Sequence, residues 1–323
     1  MTFLKMKYVW CLSILAILAL GCSSAPKNPD PEKSHDVKNQ AADYADFGDY
    51  YYSQAQYDQS LKFFELSLKE NISVNNEEGI IKSQNSIGKV YSALGRSDLA
   101  LDHYAQAYEL AKKIDDPVLL SQSENNIGEI YLRAGESGEA LPLFEKAIGR
   151  LKDIDFSRKK KDDDSIKDHR PVLYHNTGIA YKQQNNLNDA LSWLEKALAL
   201  NTEEKLYKDM ADNYYAIASV YSKQNSFEKA IENASLALDY DKLAENKVGI
   251  AKDFLALGLI SRKANMDEEA YAFFRDSYFV YKTLGLNQEM KKLLTLLIGS
   301  TETLGLYEEA GTYRELLDAL EEE

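Results

Sequence analysis

Cysteine is almost missing from this chain: 323 residues hold only Cys11 and Cys22. Cys11 lies in an apolar run near the N-terminus. If that run is removed a single Cys remains, so no intrachain disulfide can form and the scarcity says nothing about redox compartment. Glycine (16) and proline (6) are also sparse, which leaves little material for the turns of an all-β protein. Histidine occurs four times, at His35, His103, His169 and His175. No two of them are four residues apart, the spacing that sets two imidazoles on one helix face for zinc. The sequence has no G-x-S-x-G elbow, no P-loop and no Rossmann fingerprint. It therefore predicts a chain that is not an enzyme and needs neither metal nor cofactor.

What is abundant is acid. The formal charge is −14, and without residues 1–21, which hold Lys5 and Lys7 and no acid, 36 basic side chains face 52 acidic ones, a balance of −16. Such a surface repels phosphate backbones and anionic lipid, so nucleic acid is not an expected partner. Helix formers dominate the remainder, with 45% hydrophobic and 28% charged residues.

The longest apolar run, Tyr8 to Leu20, follows Lys5 and Lys7 and ends in Gly21-Cys22-Ser23-Ser24. A basic start, a short apolar stretch and a small residue describe a secretory signal. The run is shorter than the roughly 20 residues a transmembrane helix needs. Leu18-Ala19-Leu20-Gly21-Cys22 resembles the lipobox of bacterial lipoproteins, although Ala19 stands where the strictest form has Leu. The resemblance implies removal of residues 1–21, acylation of Cys22 and anchoring in the cell envelope. Ser23 after the Cys implies the outer membrane, facing the periplasm or the cell surface. Two or three acyl chains, at about 0.8 kcal/mol per buried CH₂, hold a protein stably where one is marginal. Residues 22–40, with Pro26, Pro29 and Pro31 and almost nothing apolar, read as a disordered tether.

Beyond it the chain repeats. Ser86-Ile87-Gly88-Lys89-Val90-Tyr91 aligns with Asn126-Ile127-Gly128-Glu129-Ile130-Tyr131, Asn176-Thr177-Gly178-Ile179-Ala180-Tyr181 and Ala216-Ile217-Ala218-Ser219-Val220-Tyr221. A small residue recurs at 48, 88, 128, 178, 218 and 258, and twelve residues after five of these comes Ala100, Ala140, Ala190, Ala230 and Ala270. The first unit has Ser60 at that place, and Phe64, Tyr104, Phe144, Leu194 and Phe274 follow four further on. The interval is 40 residues except for one of 50. Each unit carries two amphipathic stretches of helical period. Ser97, Asn186 and Ser226 are candidate N-caps of second helices. Asp116-Pro117 reads as a helix start, and Asn201 with Glu204 has capping-box spacing. Small residues at fixed places fit close helix crossings, where a larger side chain would cost about 1–3 kcal/mol.

This pattern resembles the tetratricopeptide repeat, in its 40-residue, kinesin-light-chain-like form. The resemblance implies an all-α, right-handed superhelical solenoid of about seven helix-turn-helix hairpins over residues 41–323. The units are 41–74, 81–114, 121–154, 171–204, 211–244, 251–284 and 291–323. An insertion at about 155–170 carries the charged run Arg158 to Asp164.

In that family the first helices line a concave groove, and positions 2, 5, 9, 12 and 13 of each unit point into it. The implied groove residues include Lys82, Asn85 and Lys89, then Asn125 and Arg133. His175 and Lys182 follow, then Tyr215 and Lys223, then Lys252, Arg262 and Lys263. The full set holds eight basic and two acidic residues, which predicts a locally positive groove for an extended, acidic peptide. Asn85, Asn125, Asn126 and Asn176 fall at positions 5 and 6. Asn there either holds a peptide through its backbone amides or bridges adjacent helices. Tyr91, Tyr131, Tyr181 and Tyr221 fall in the packing register. The expected function is a membrane-anchored scaffold whose partners are other envelope proteins or peptides. A periplasmic accessory of a solute transporter and a surface adhesin are the alternatives.

Overall fold

The computed structural model describes residues 31–156 and 168–322. Those residues form fourteen helices and no strand. In chain order they are α1 (Pro31–Ser53), α2 (Tyr57–Ser73), α3 (Glu77–Ala93), α4 (Ser97–Lys113) and α5 (Pro117–Arg133). Next come α6 (Ser137–Leu151), α7 (Arg170–Gln183), α8 (Leu187–Glu203), α9 (Tyr207–Lys223) and α10 (Phe227–Leu243). The last four are α11 (Lys247–Lys263), α12 (Asp267–Leu284), α13 (Asn287–Thr303) and α14 (Tyr307–Glu322). The chain divides into two compact units, one ending at Val90 and the other beginning at Tyr91, so the division falls inside α3.

The connectors explain the regularity. A left-handed residue recurs every 20 positions from Ala55 to Gly135 and again from Asn185 to Gly305. Around each, the chain makes the same closure: Arg96 N–H donates to Tyr91 O at 2.9 Å, and Asn246 N–H to Asp241 O at 2.9 Å. This is the Schellman bond, which satisfies the orphan carbonyls of a helix end. Asn, Asp or Gly holds most of these places, because a short polar side chain or none tolerates positive φ. The connectors therefore recur every 20 residues, and two of them fall in each 40-residue unit.

In the first unit α1 crosses α2 at Gly48, where an added Cβ would lie 2.5 Å from the Phe64 ring. Ser60 Oγ locks the crossing by donating to Gly48 O at 2.8 Å. In the second unit Gly128 meets Phe144, Gly178 meets Leu194 and Gly258 meets Phe274, all at distances that exclude a side chain. The small-residue reading is thus borne out. Phe144 and Phe274 are fully buried, each worth about 1.5–3 kcal/mol of burial. Tyr131, Tyr181 and Tyr221 pack against these cores as the register predicts. Successive helices pack on one another, and the first helices α5, α7, α9 and α11 also touch in sequence, forming one face of this unit.

Several expectations need correction. The tether ends earlier than Gln40: α1 begins at Pro31 and Ala41 is buried. Proline blocks a helix interior but suits its first turn, and the rest of α1 after Pro31 holds no further proline. The hairpins start four residues before 81, 121, 211, 251 and 291, and one before 171. Asp116 caps α5 through the N–H groups of Val118 and Leu119, but Ser97 is already inside α4, and Asn186 and Ser226 make no side-chain cap bond. Asn201 lies in the last turn of α8, not at a helix start. The lipobox, Cys22 and the run Arg158 to Asp164 lie outside the described residues.

Candidate functional site

The site begins with one register position. At each described junction between hairpins, a residue in the last turn of a second helix is buried with a residue of the next first helix, twelve positions further on except across the 50-residue interval, where it is twenty-two. The pairs are Asn71 and Ser83, Ala111 and Ser123, Leu151 and Leu173, Asn201 and Asn213, Asp241 and Asp253, and Tyr281 and Leu293. Five are neutral. One is a pair of acids.

Asp241 and Asp253 are 3% and 2% exposed. Asn246, in the connector, donates Nδ2 to Asp241 Oδ1 at 2.8 Å and caps α11 through Gly249 N–H at 3.2 Å. Gly249 is glycine for a steric reason: a Cβ there would stand 1.8 Å from Asp241 Oδ2. Asp253 Oδ2 has no donor within reach. The hydrogen bond Asp253 makes is with the Asp241 carboxyl, and it exists only while one of the two acids carries a proton. Burial first, then the Asp241 charge, pushes Asp253 up to about 8. Asp241 is raised as well, again by burial.

These acids open onto a cleft of about 580 Å³ between α9, α11 and α13. Asp212 and Tyr215 line it from α9, Val248, Lys252 and Leu255 from α11, Tyr281 from α12, and Leu286, Glu289 and Lys292 from the last connector and α13. A smaller hollow of about 110 Å³ sits one junction earlier, beside His175, Asn201 and Asn213. His175 Nδ1 lies 3.0 Å from Asn213 Oδ1, and burial lowers its pKa, so it adds no positive charge to the face.

Of the residues expected in the groove, the structure gathers Tyr215 and Lys252 at the cleft. The others are spread along the helices, and many are engaged within the chain. Lys82 pairs with Glu78 at 2.6 Å, and Lys89 stands 4.2 Å above the Tyr52 ring and 4.0 Å from Asp49. Arg133 pairs with Glu129 at 2.6 Å. Lys182 donates to Ser219 Oγ at 3.2 Å, with its pKa lowered by burial and then by Lys223. Lys223 reaches back to Lys182 O at 3.2 Å and Lys263 to Ser222 Oγ at 3.4 Å, each a cation at the C-terminal end of the preceding first helix. Arg262 lies 5.4 Å from the Phe274 ring.

The Asn reading resolves toward helix bridging. Asn176 Nδ2 donates to Asn125 Oδ1 at 3.1 Å, and both are buried, as is Asn85. Asn126 is half-buried on α5. At this cleft the expected positive charge is not found: the lining holds four carboxyl groups against two lysines. The count of groove positions took in Asp212 but not Asp241, which comes from a second helix, nor Asp253 and Glu289. The signal was present in the twelve-residue pairing of Asp241 with Asp253, which breaks a ladder of neutral pairs.

Stacked helical hairpins with an open cleft on the first-helix face define a repeat protein of the kind that binds other polypeptides. Tetratricopeptide repeat models match residues 40–113 and 79–153, 172–204 and 211–242, together more than half of the chain. The chain belongs to the tetratricopeptide repeat family. No curated protein matches it by sequence. Among solved structures it is similar to a Rap protein complexed with Competence and Sporulation Factor, at 14% identity and TM-score 0.62 over 92% of this chain and 81% of that one. Aspartyl phosphate phosphatase F from Bacillus subtilis is similar at 17% identity and TM-score 0.59, over 90% and 72%. BtubC (BKLC) from P. vanneervenii is similar at 16% identity and TM-score 0.57, over 68% and 89%. At these identities the likeness is one of fold. Among the described residues no helix is long and apolar enough to cross a membrane.

Proposed function

We propose that this chain is a lipid-anchored, non-catalytic scaffold of the bacterial envelope that holds a polypeptide partner along the face built by its first helices. The observation that carries the reading is the cleft between α9, α11 and α13, open at the surface and lined by Val248, Leu255 and Leu286 beside a buried acid pair. Repeat arrays commonly bind through such extended faces. The anchor rests on the sequence: a basic start, a short apolar run and Cys22 in a lipobox-like setting. A Rap protein, similar in fold, is named as complexed with Competence and Sporulation Factor, which supports this fold as a holder of a separate ligand.

A photo-crosslinking amino acid placed at Tyr215 or Lys252 in membrane-anchored protein tests the reading. Those positions should capture a discrete partner, and Glu232 on a second helix should not. Capture from Glu232 alone would move the binding face; capture of no protein from any site would end the scaffold reading. Cys22→Ala should release the chain from the membrane fraction and abolish acyl labelling.

A further inference from the structure

We propose that the cleft between α9, α11 and α13 binds a primary ammonium group, that of a lysine side chain on an extended polypeptide. This rests on the scaffold reading above and adds to it the chemistry of the ligand.

Four observations converge. Among the described residues, Asp253 Oδ2 is the buried carboxyl oxygen left without a hydrogen-bond donor, and Asp253 lines the cleft. A buried acceptor without a donor is costly, so the site is incomplete as it stands. Beside it, the Asp241 carboxyl is fixed by Asn246 on one oxygen only. An ammonium carries three donors and no acceptor, which matches a pair of acceptor groups. Val248, Leu255, Leu286 and the Tyr215 and Tyr281 rings supply apolar wall for a four-carbon stem. No three His, Cys, Asp or Glu among the described residues are grouped to hold a metal ion, so an organic cation fits better than an inorganic one.

The surrounding charges permit this. Asp212, Tyr215 and Lys208 face the pair from α9, Lys252 from α11, Tyr281 from α12, and Glu289 and Lys292 from α13. With all four acids ionised, the lining carries four negative charges and two positive. A lysine entering the cleft meets Asp253 protonated at neutral pH, because burial and the Asp241 charge push that acid up to about 8. Binding then expels the proton to solvent, and the ammonium takes its place between the two carboxylates. Affinity must rise with pH, up to about tenfold per unit below pH 8, and level off above it.

The test uses the full chain in detergent micelles with three labelled decapeptides of Gly and Ser. One carries a central lysine, one Nε-acetyllysine and one glutamate. At pH 8.5 the lysine peptide should bind at least tenfold tighter than the other two, with its advantage shrinking about tenfold per unit as pH falls below 8. Asp253→Asn should abolish both the preference and the pH slope, and Asp241→Asn should weaken them, with helical content unchanged by circular dichroism. Equal binding of the lysine and acetyllysine peptides, or a preference that survives Asp253→Asn, overturns the inference and leaves the scaffold reading to its crosslinking test. Binding of none of the three overturns it too. Free n-butylamine that competes at the same concentration as the lysine peptide assigns the site to small amines and overturns the polypeptide source.

Discussion

Two buried acids in the second unit are treated in opposite ways. Glu124, on α5, is fully buried yet has its cations at hand. Arg150 Nε and Nη2 donate to its two oxygens at 2.8 and 3.0 Å, and Lys146 Nζ lies 2.8 Å away. The hydrogen bond to Glu124 is the main cause that raises the pKa of both cations. Asp253, on α11, is buried as deeply and faces a second acid instead. The chain thus has the means to neutralise an interior carboxylate and uses them at one hairpin. At the other it leaves the charge to a proton. A carboxyl that folding does not satisfy is a place where something else can, and that is what separates a structural acid from one available to a ligand.

The largest effect follows from breaking the satisfied one. Arg150→Met should strand Glu124 with only half-exposed Lys146 and lower stability by about 3–5 kcal/mol, read as a shift of the urea midpoint. Asp253→Asn, which removes an acid rather than its partner, should show no such loss. A similar fall for both would mean that the two sites are alike and the contrast is false.

The second effect is one of pH. Asp253 is raised from its ordinary 3.8 to about 8 on folding, so the folded state holds a proton that the unfolded state has released. Stability is then fully present below pH 4 and declines as pH rises through the window from about 4 to 8, by at most about 1.4 kcal/mol per unit. Asp253→Asn should flatten this slope and melt higher than the parent at pH 8, by about 2–4 °C for each kcal/mol recovered. Thermal scans at pH 5, 6.5 and 8 check it, and parallel slopes for the two proteins would refute the assignment.

Next comes the Asn bridge between hairpins. Asn176→Ala leaves Asn125 Oδ1 buried without its donor and should cost about 1–3 kcal/mol. Its Asn125→Ala partner should cost little more in the double variant, since the two act as one bond. Additive losses would show that the 3.1 Å contact is incidental.

These residues also mark how far the sequence could be read. Every hairpin was legible, because Gly128 against Phe144 and Gly258 against Phe274 impose steric demands that recur at fixed spacing. The charge of the cleft was not. Family positions take in one helix of each hairpin, whereas Asp241 reaches the cleft from a second helix across a junction. Asn176 and Asn125 were equally open to two readings, since an amide suits a peptide and a neighbouring helix alike, and only their mutual distance decides. Pro31 misled for a similar reason: the residue that ends helices also begins them.

The smallest effect belongs to the exposed pairs, and it tests whether burial is what gives the two interior acids their weight. Lys82 and Glu78 meet at 2.6 Å with both side chains about half exposed, and Arg133 meets Glu129 at the same distance. Each is an i, i+4 contact on one helix, where solvent screens the charges and ordering two long side chains offsets most of the gain. Lys82→Ala should therefore change stability by no more than about 0.5 kcal/mol. The distance is shorter than any in the Glu124 cluster, so if separation alone set the energy this pair would rank first. A loss from Lys82→Ala comparable with that from Arg150→Met would mean that contact geometry, and not withdrawal from water, governs the charged sites of this protein.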